Sequence, residues 1–378
     1  MPEVQEVFRL ATQKIRPEPG ALERQFQEQR RRSARRKGGA VALAAALVIT
    51  AAVVVIEAAR DAGAGGSVPA DQGTGTASLR VPGYGFGFST DGSRVFTRVE
   101  ASGAIYDAET GTLLQTVSGR GDGVVAFSPD GQRFVTVRGC GRCEQESPAD
   151  VPRTFVYDTM TGEELWRVRR ACCYAAFSGD GSLLAIPQNV PHTSVIDVGS
   201  GERVKQVDSW GATAFSPDGQ QLLVTPYPGA AAKGVVGYVY DVFDAGADPV
   251  LALHGRGEGN VPSVYAEWNP WSSDGSMIAI PTSTGKVFVW DAQTGEEKFV
   301  LKPPAGDFTF TAFNVDSNLL AVASTDGTAI VFDLSGDVAD SVTTIDAYNK
   351  RVDHVVFGPG DRLMTAAWNR PTKVWDIS

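Results

Sequence analysis

The sequence predicts an all-β fold, a seven-bladed β-propeller, preceded by a single transmembrane helix and a short cytoplasmic helix. Three observations predict it. A strand–turn–strand unit recurs seven times from residue 84 onward, the third strand of every unit ends in Asp, and an apolar run of nineteen residues separates a basic arm from the repeats.

The first half of the repeat reads "GFGFSTDGS", "VVAFSPDGQ", "YAAFSGDGS", "ATAFSPDGQ", "AEWNPWSSDGS", "FTAFNVDSN" and "HVVFGPGDR". Each is an apolar strand ending at an aromatic residue (Phe88, Phe127, Phe177, Phe215, Trp268, Phe313, Phe357), followed by a Ser-Pro-Asp-Gly-like turn. Pro presets φ at the first central turn position and Gly accepts positive φ, so the spelling has a mechanism. A second strand follows, and a third closes on Asp107, Asp158, Asp197, Asp241, Asp291, Asp333 or Asp376. The intervals of 51, 39, 44, 50, 42 and 43 residues bracket the ~40–45 of a four-stranded blade. After six of these aspartates comes a turn, often Thr-Gly, and a fourth strand. The seventh lies too near residue 378 to be followed by one, and "ASLRVPG" (77–83) has that strand's character. It is expected to complete the last blade, closing the ring and removing the exposed sheet edges.

This "AFSPDG…VYD…TG" grammar resembles the WD-repeat β-propeller family over residues 77–378. The resemblance implies a scaffold for protein or small-ligand contacts. One departure stands out: WD repeats carry Gly-His before the first strand, its His joining a hydrogen-bonded network inside the blade. Of the three His here, His192, His254 and His354, only His354 stands near such a position, without the Gly.

Ahead of the repeats, residues 1–37 carry ten Lys/Arg against five Glu, a balance of +5, leaving −15 of the overall −10 to the rest. So acidic a remainder argues against nucleic acid as a partner. Gly38 to Ile56 holds no charge; as a helix rising ~1.5 Å per residue it nearly matches the ~30 Å hydrocarbon core. A cleaved signal peptide competes, but the run exceeds the usual ~7–15-residue apolar region of such a signal. "RRRSARRK" (30–37) directly precedes the span and only Arg60 follows closely. The positive-inside rule therefore puts residues 1–37 in the cytoplasm and the propeller outside, in the cell membrane as a single-pass protein. Val4, Val7, Phe8, Ala11 and Ile15 form one stripe of an amphipathic helix, either a docking helix or one lying on the membrane surface. Residues 57–76 read as a flexible linker. The Ala, Arg and Gly usage resembles that of actinobacterial membrane proteins.

The cysteines, Cys140, Cys143, Cys172 and Cys173, fall in the long second-to-third-strand loop of blade 2 and at the start of blade 3. In propellers of this type these connections share one face. An external location favours disulfides, with three connectivities open. A Cys₄ zinc site is the alternative, for which the adjacent pair is a poor second half; a redox sensor is the third reading.

Other candidates are few. Glu267 precedes Trp268, where the other blades place Gly87, Ala126, Ala176, Ala214, Ala312 and Val356; this would set a carboxylate beside the central channel, with Trp268 and Trp271 as a binding wall or as core. Arg120 and Asp122 in "GRGDG", and Arg256 and Glu258 in "GRGEGN", sit on Gly-rich loops that could meet a partner or be solvated turns. No Gly-x-Ser-x-Gly, His-Glu-x-x-His or EF-hand pattern occurs, and no cofactor is expected. The reading is a non-enzymatic binding scaffold for a protein or envelope component, using the face of the cysteine loop. The alternative is an extracytoplasmic propeller enzyme, lactonase or hydrolase in type, with its site at the channel mouth.

Overall fold

The structure, a computed structural model, describes residues 77–138, 153–169, 175–188, 192–209, 211–226, 234–255, 269–282 and 284–377. The apolar run 38–56, the basic arm, the linker and all four cysteines lie outside the described residues. Among the described residues no helix is long and apolar enough to cross a membrane, and the single helical turn is 3-10, Pro359–Asp361.

Strand β1 (Leu79–Val81) precedes blade 1, which comprises β2 (Tyr84–Phe88), β3 (Arg94–Val99), β4 (Ser102–Asp107) and β5 (Leu113–Val117). Blade 2 is β6 (Gly123–Phe127), β7 (Arg133–Arg138), β8 (Arg153–Asp158) and β9 (Glu164–Arg169). Blade 3 is β10 (Ala176–Phe177), β11 (Leu183–Pro187), β12 (Thr193–Asp197) and β13 (Arg203–Val207). Blade 4 is β14 (Gly211–Phe215), β15 (Gln221–Pro226), β16 (Val235–Asp241) and β17 (Leu251–His254). Blade 5 is β18 (Met277–Pro281), β19 (Val287–Asp291) and β20 (Glu297–Leu301), its innermost strand entering as a bridge between Trp271 and Ile278. Blade 6 is β21 (Phe308–Phe313), β22 (Leu319–Ser324), β23 (Thr328–Asp333) and β24 (Asp340–Asp346). Blade 7 holds β25 (His354–Phe357), β26 (Arg362–Ala366) and β27 (Thr372–Asp376).

The blades are antiparallel meanders, and blade 7 is completed as the sequence predicts. Strand β1 pairs with β27, Leu79 opposite Val374 and Val81 opposite Thr372, with Ser78 N donating to Val374 O at 2.8 Å. The second and third strands are buried nearly throughout, whereas the outer strands are largely exposed or half-buried, β9 in alternation with half-buried Glu164, exposed Leu165 and half-buried Trp166. That burial gradient explains why the second and third strands read as continuous apolar runs and the fourth does not.

The third-strand aspartates are turn builders. Asp107 Oδ1 accepts from Thr110 N at 2.8 Å, Asp158 from Thr161 N at 2.8 Å and Asp197 from Ser200 N at 2.7 Å. Each Asx-type bond closes the turn into the outer strand. His354 opens β25 and reaches both neighbouring blades, with Nδ1 3.0 Å from Gly85 O of blade 1 and its ring against Phe310 of blade 6. Blade 7 also holds a hydrogen-bonded network of Trp375, Thr365 and Tyr348. The Trp375 indole N–H donates to Thr365 Oγ1 at 2.9 Å, and the Tyr348 hydroxyl reaches Thr365 O at 2.9 Å and Pro371 O at 2.8 Å.

Candidate functional site

Four antiparallel strands put the first-to-second and third-to-fourth turns on one face of the ring and the other connections on the opposite face. The turn face is closed by contacts between neighbours: Thr90 N donates to Pro129 O at 2.9 Å, Ser273 Oγ to Asn314 O at 3.0 Å, and Arg362 Nη2 to Gly92 O at 3.1 Å. In blades 1 to 5 the turn is one construction repeated. A buried Ser hydroxyl donates to the Asp two residues on at 2.6 Å (Ser89 to Asp91, Ser128 to Asp130, Ser178 to Asp180, Ser216 to Asp218, Ser272 to Asp274). The same Ser oxygen accepts the backbone N–H opening the second strand, as from Arg94 at 3.0 Å. The Ser89 and Ser93 bonds hold the Asp91 carboxyl down at about 2. Asp316 takes the corresponding place in blade 6; in blade 7 that place is Gly360, and Asp361 follows it.

Inside this ring the channel opens as a cavity of about 700 Å³. Its wall is made of the strand-terminal phenylalanines, the small residues before them and the turns, among them Pro129, Pro217, Val315 and Pro359. None of the described residues on that wall carries an ionisable side chain. Among the described residues, no group of three or more His, Cys, Asp or Glu is placed to hold a metal.

Blade 5 corrects one step of the sequence reading. Trp271, not Trp268, ends the innermost strand: Trp271 bridges to Ile278 as Phe215 pairs with Leu222 and Phe313 with Leu320. The residue before the terminal aromatic is therefore Pro270, and the register argument that set Glu267 beside the channel does not hold. Glu267 itself, with Trp268, Arg256 and Glu258, lies outside the described residues. Trp271 is 1% exposed, borders the channel and donates its indole N–H to Ala214 O of blade 4 at 3.3 Å.

The opposite face carries Arg120 and Asp122. Their loop is fixed rather than merely solvated: Arg120 N donates to the Tyr157 hydroxyl at 2.8 Å, Thr136 Oγ1 to Arg120 O at 2.6 Å, and Asp122 N to Val137 O at 2.6 Å. The Arg120 side chain is exposed and pairs with Glu164 at 3.5 Å. Arg98 Nη2 donates to Asp122 O at 3.3 Å; burial lowers the Arg98 pKa from the usual arginine range, against the raising effect of the Asp122 charge. Arg120 and Asp122 are not brought together with Trp271, which belongs to blade 5.

The same face displays a residue that the repeat pattern did not single out. Trp368, in the turn between β26 and β27, is 67% exposed. Its backbone N–H donates to Asp353 Oδ2 at 2.8 Å, while Asp353 Oδ1 binds Arg351 Nε at 2.7 Å. Tyr84 stands behind the indole, ring centres 6.2 Å apart, and the next residue, Asn369, adopts φ +57. A non-glycine residue in the left-handed region is a mild strain held by its surroundings, and such positions gather at functional turns. The available signal was an aromatic residue in "AWNRPT" between two strands, where turn residues are otherwise polar.

Comparison with known proteins agrees with this architecture. Residues 296–333 match the family model "WD domain, G-beta repeat". The match runs from the outer strand of blade 5 through the third strand of blade 6, so the sequence repeat is offset by one strand from the blade, the offset that leaves β1 to close the ring. No curated protein matches the chain. A chain in the crystal structure of a mitotic checkpoint complex is similar at 17% identity with a TM-score of 0.60, the alignment covering 83% of this chain and 99% of that one. At that identity the likeness establishes the fold. With seven blades, the Ser-x-Asp-Gly turns, the terminal aspartates and the matched repeat in agreement, the chain is a WD-repeat-like β-propeller.

Proposed function

We propose that this protein is a membrane-anchored, extracytoplasmic scaffold that binds a protein or cell-envelope partner without transforming it. The observation that carries the binding reading is Trp368, a large apolar side chain held open to solvent by Asp353 beside Tyr84 and Arg351. Trp, Tyr and Arg are the side chains that dominate binding energy when a partner desolvates them. Among the described residues the channel wall carries no Asp, Glu, His, Cys, Lys or Arg, which supports binding over acid–base chemistry there. The anchor rests on the uncharged run 38–56 and the basic stretch before it.

Two measurements test the two halves. With epitope tags at either end of the full chain, protease added to intact, wall-permeabilised cells should remove the propeller tag and spare the N-terminal one; the reverse pattern refutes the orientation. Cross-linking in cells, read by mass spectrometry, should yield an adduct with one partner that Trp368→Ala abolishes while the circular dichroism spectrum stays unchanged. An adduct pattern indifferent to Trp368→Ala refutes the role of this face. Thiol alkylation before and after reduction reads the cysteines, and free thiols in the membrane-extracted protein would refute the disulfides that an external location favours.

A further inference from the structure

The other mouth of the channel is built differently, and nothing in the scaffold reading accounts for it. Its floor and wall are mostly apolar, with Trp271 and the strand-terminal phenylalanines, and Pro129, Pro217, Val315 and Pro359 in the turns, interspersed with uncharged hydroxyls such as that of Ser273. Val315 is 69% exposed, an aliphatic side chain with nothing over it among the described residues. The wall turns at Pro129, Pro217 and Val315 continue directly into an aspartate and the one at Pro359 reaches Asp361 after Gly360, so the apolar funnel is ringed by carboxylates, one per blade. Six of the seven are exposed; Asp361 is half-buried.

The ring is charged and keeps unused acceptors. In Asp91, Asp130, Asp180 and Asp218 the hydrogen bonds from Ser hydroxyls and backbone amides converge on Oδ1. The second carboxylate oxygen is thereby left to accept from a cation. Farther out, the turn aspartates Asp107, Asp158, Asp197, Asp291 and Asp333 have their pKa values lowered by turn amides and hydroxyls and add charge of the same sign. Cations share the face, among them Arg203 at the start of β13 and Lys298 in β20 near Asp291. Arg362 is spent on Ala108 O and Gly92 O and lies over the Phe88 ring, while Arg94 and Arg133 stand at the start of the second strands beside the ring. The carboxylates outnumber them.

An apolar well inside a negative ring selects its occupant by both terms. Anionic lipid and acidic peptide are repelled by the ring, and a purely cationic ligand leaves the well empty. The geometry points to a second docking site here, one that takes a basic segment of a partner protein, with one aromatic or large aliphatic side chain in the funnel and flanking Lys or Arg on the ring. Electrostatic steering toward such a face speeds encounter and makes it salt-dependent. The site goes beyond the Trp368 face and lies on the opposite side of the ring, so the propeller would bridge two partners.

Val315 provides the test, because an exposed residue can change charge without disturbing the core. A random peptide display library is selected on immobilised full-length protein, and enriched sequences are made as fluorescent peptides for anisotropy titration at low and raised salt. The expected consensus is basic residues flanking one apolar side chain, weakened at least tenfold by Val315→Arg and by raised salt and not weakened by Val315→Glu. An acidic or uncharged consensus, or affinities unchanged in Val315→Arg, overturns the inference. Peptides that lose binding in Trp368→Ala but not in Val315→Arg overturn it while sustaining the scaffold reading, and no enrichment at all counts against both.

Discussion

Ring closure by β1 gives the sharpest quantitative expectation. Val81 is 0% exposed and packs with Val95, Ala104, Tyr106, Met364 and Val374, so it belongs to both blade 7 and blade 1. Val81→Ala removes two methyl groups from that cluster, at about 0.8 kcal/mol for each buried carbon. A cavity contribution brings the expected loss to ~2–3 kcal/mol. The matched control is Val342 in β24, also on the outermost strand of a blade but 58% exposed; there the same change should cost less than ~0.5 kcal/mol. Urea unfolding of the full-length variants, followed by tryptophan fluorescence, reads both, with unchanged slopes certifying comparable unfolding. If Val81→Ala unfolds at the wild-type urea midpoint, as Val342→Ala should, β1 is not holding the ring and the closure argument fails.

Other expectations follow from the turns and networks. Asp91, held at about 2 against an unfolded value of ~3.9, contributes stability that is complete above ~pH 5 and is lost as pH falls through its folded value. Acid unfolding should therefore be flat from neutrality to ~pH 5 and steep below ~pH 4, with Asp91→Asn lessening the steepness; an Asn variant with the wild-type acid profile refutes the assignment. Thr365→Val leaves the buried Trp375 N–H without the acceptor it has at 2.9 Å. Chemical unfolding should register a loss of ~1–3 kcal/mol, largely restored by Thr365→Ser. In the loop 119–123, Gly121 has φ +129 and a Cβ there would stand 2.3 Å from Val137 O. Gly121→Ala should cost ~1–3 kcal/mol, whereas Arg120→Ala, which removes only a surface ion pair, should cost less than ~1 kcal/mol; equal effects in thermal unfolding would show the loop is not pinned.

The parts of this fold that local chemistry specifies are legible in the chain. The Ser-x-Asp-Gly turns, the aspartates closing the third strands and the detached strand before Gly83 all act over a few residues, and each appears where its spelling predicts. Blade 5 misleads because "AEWNPWSSDGS" offers two indoles. Counting back from the turn resolves them: Trp271 stands four residues before Gly275, as Phe215 stands four before Gly219, and the pairing with Ile278 agrees. The Tyr348–Thr365–Trp375 network is illegible because no spacing rule distinguishes Tyr348 from any buried Tyr. Trp368 is illegible for the opposite reason: exposure depends on what the ring leaves uncovered.

The funnel shows how repetition converts a local rule into a global property. One aspartate in a Ser-x-Asp-Gly turn is there because its Oδ1 organises the turn, and that reason recurs in blades 1 to 5. Closing seven blades puts all of those aspartates around one mouth, so the fold concentrates negative charge on one face without any residue having been placed for charge. The small residue and the aromatic before each turn repeat for packing reasons, and closure gathers them into an apolar wall within the same ring. The strand that closes the ring adds direction. Because β1 runs antiparallel to β27, its N-terminal end lies at the Asp376 end of β27, so the chain joins the propeller on the acidic face, while Trp368, at the other end of β27, is displayed on the opposite one. Substituting the ring aspartates would therefore confound turn stability with binding. A change at Val315, which has no hydrogen-bonding duty in its side chain, separates the two: if Val315→Arg leaves the urea midpoint where it was and still removes the basic peptide, the funnel's charge and its fold are independent properties of one sequence repeat.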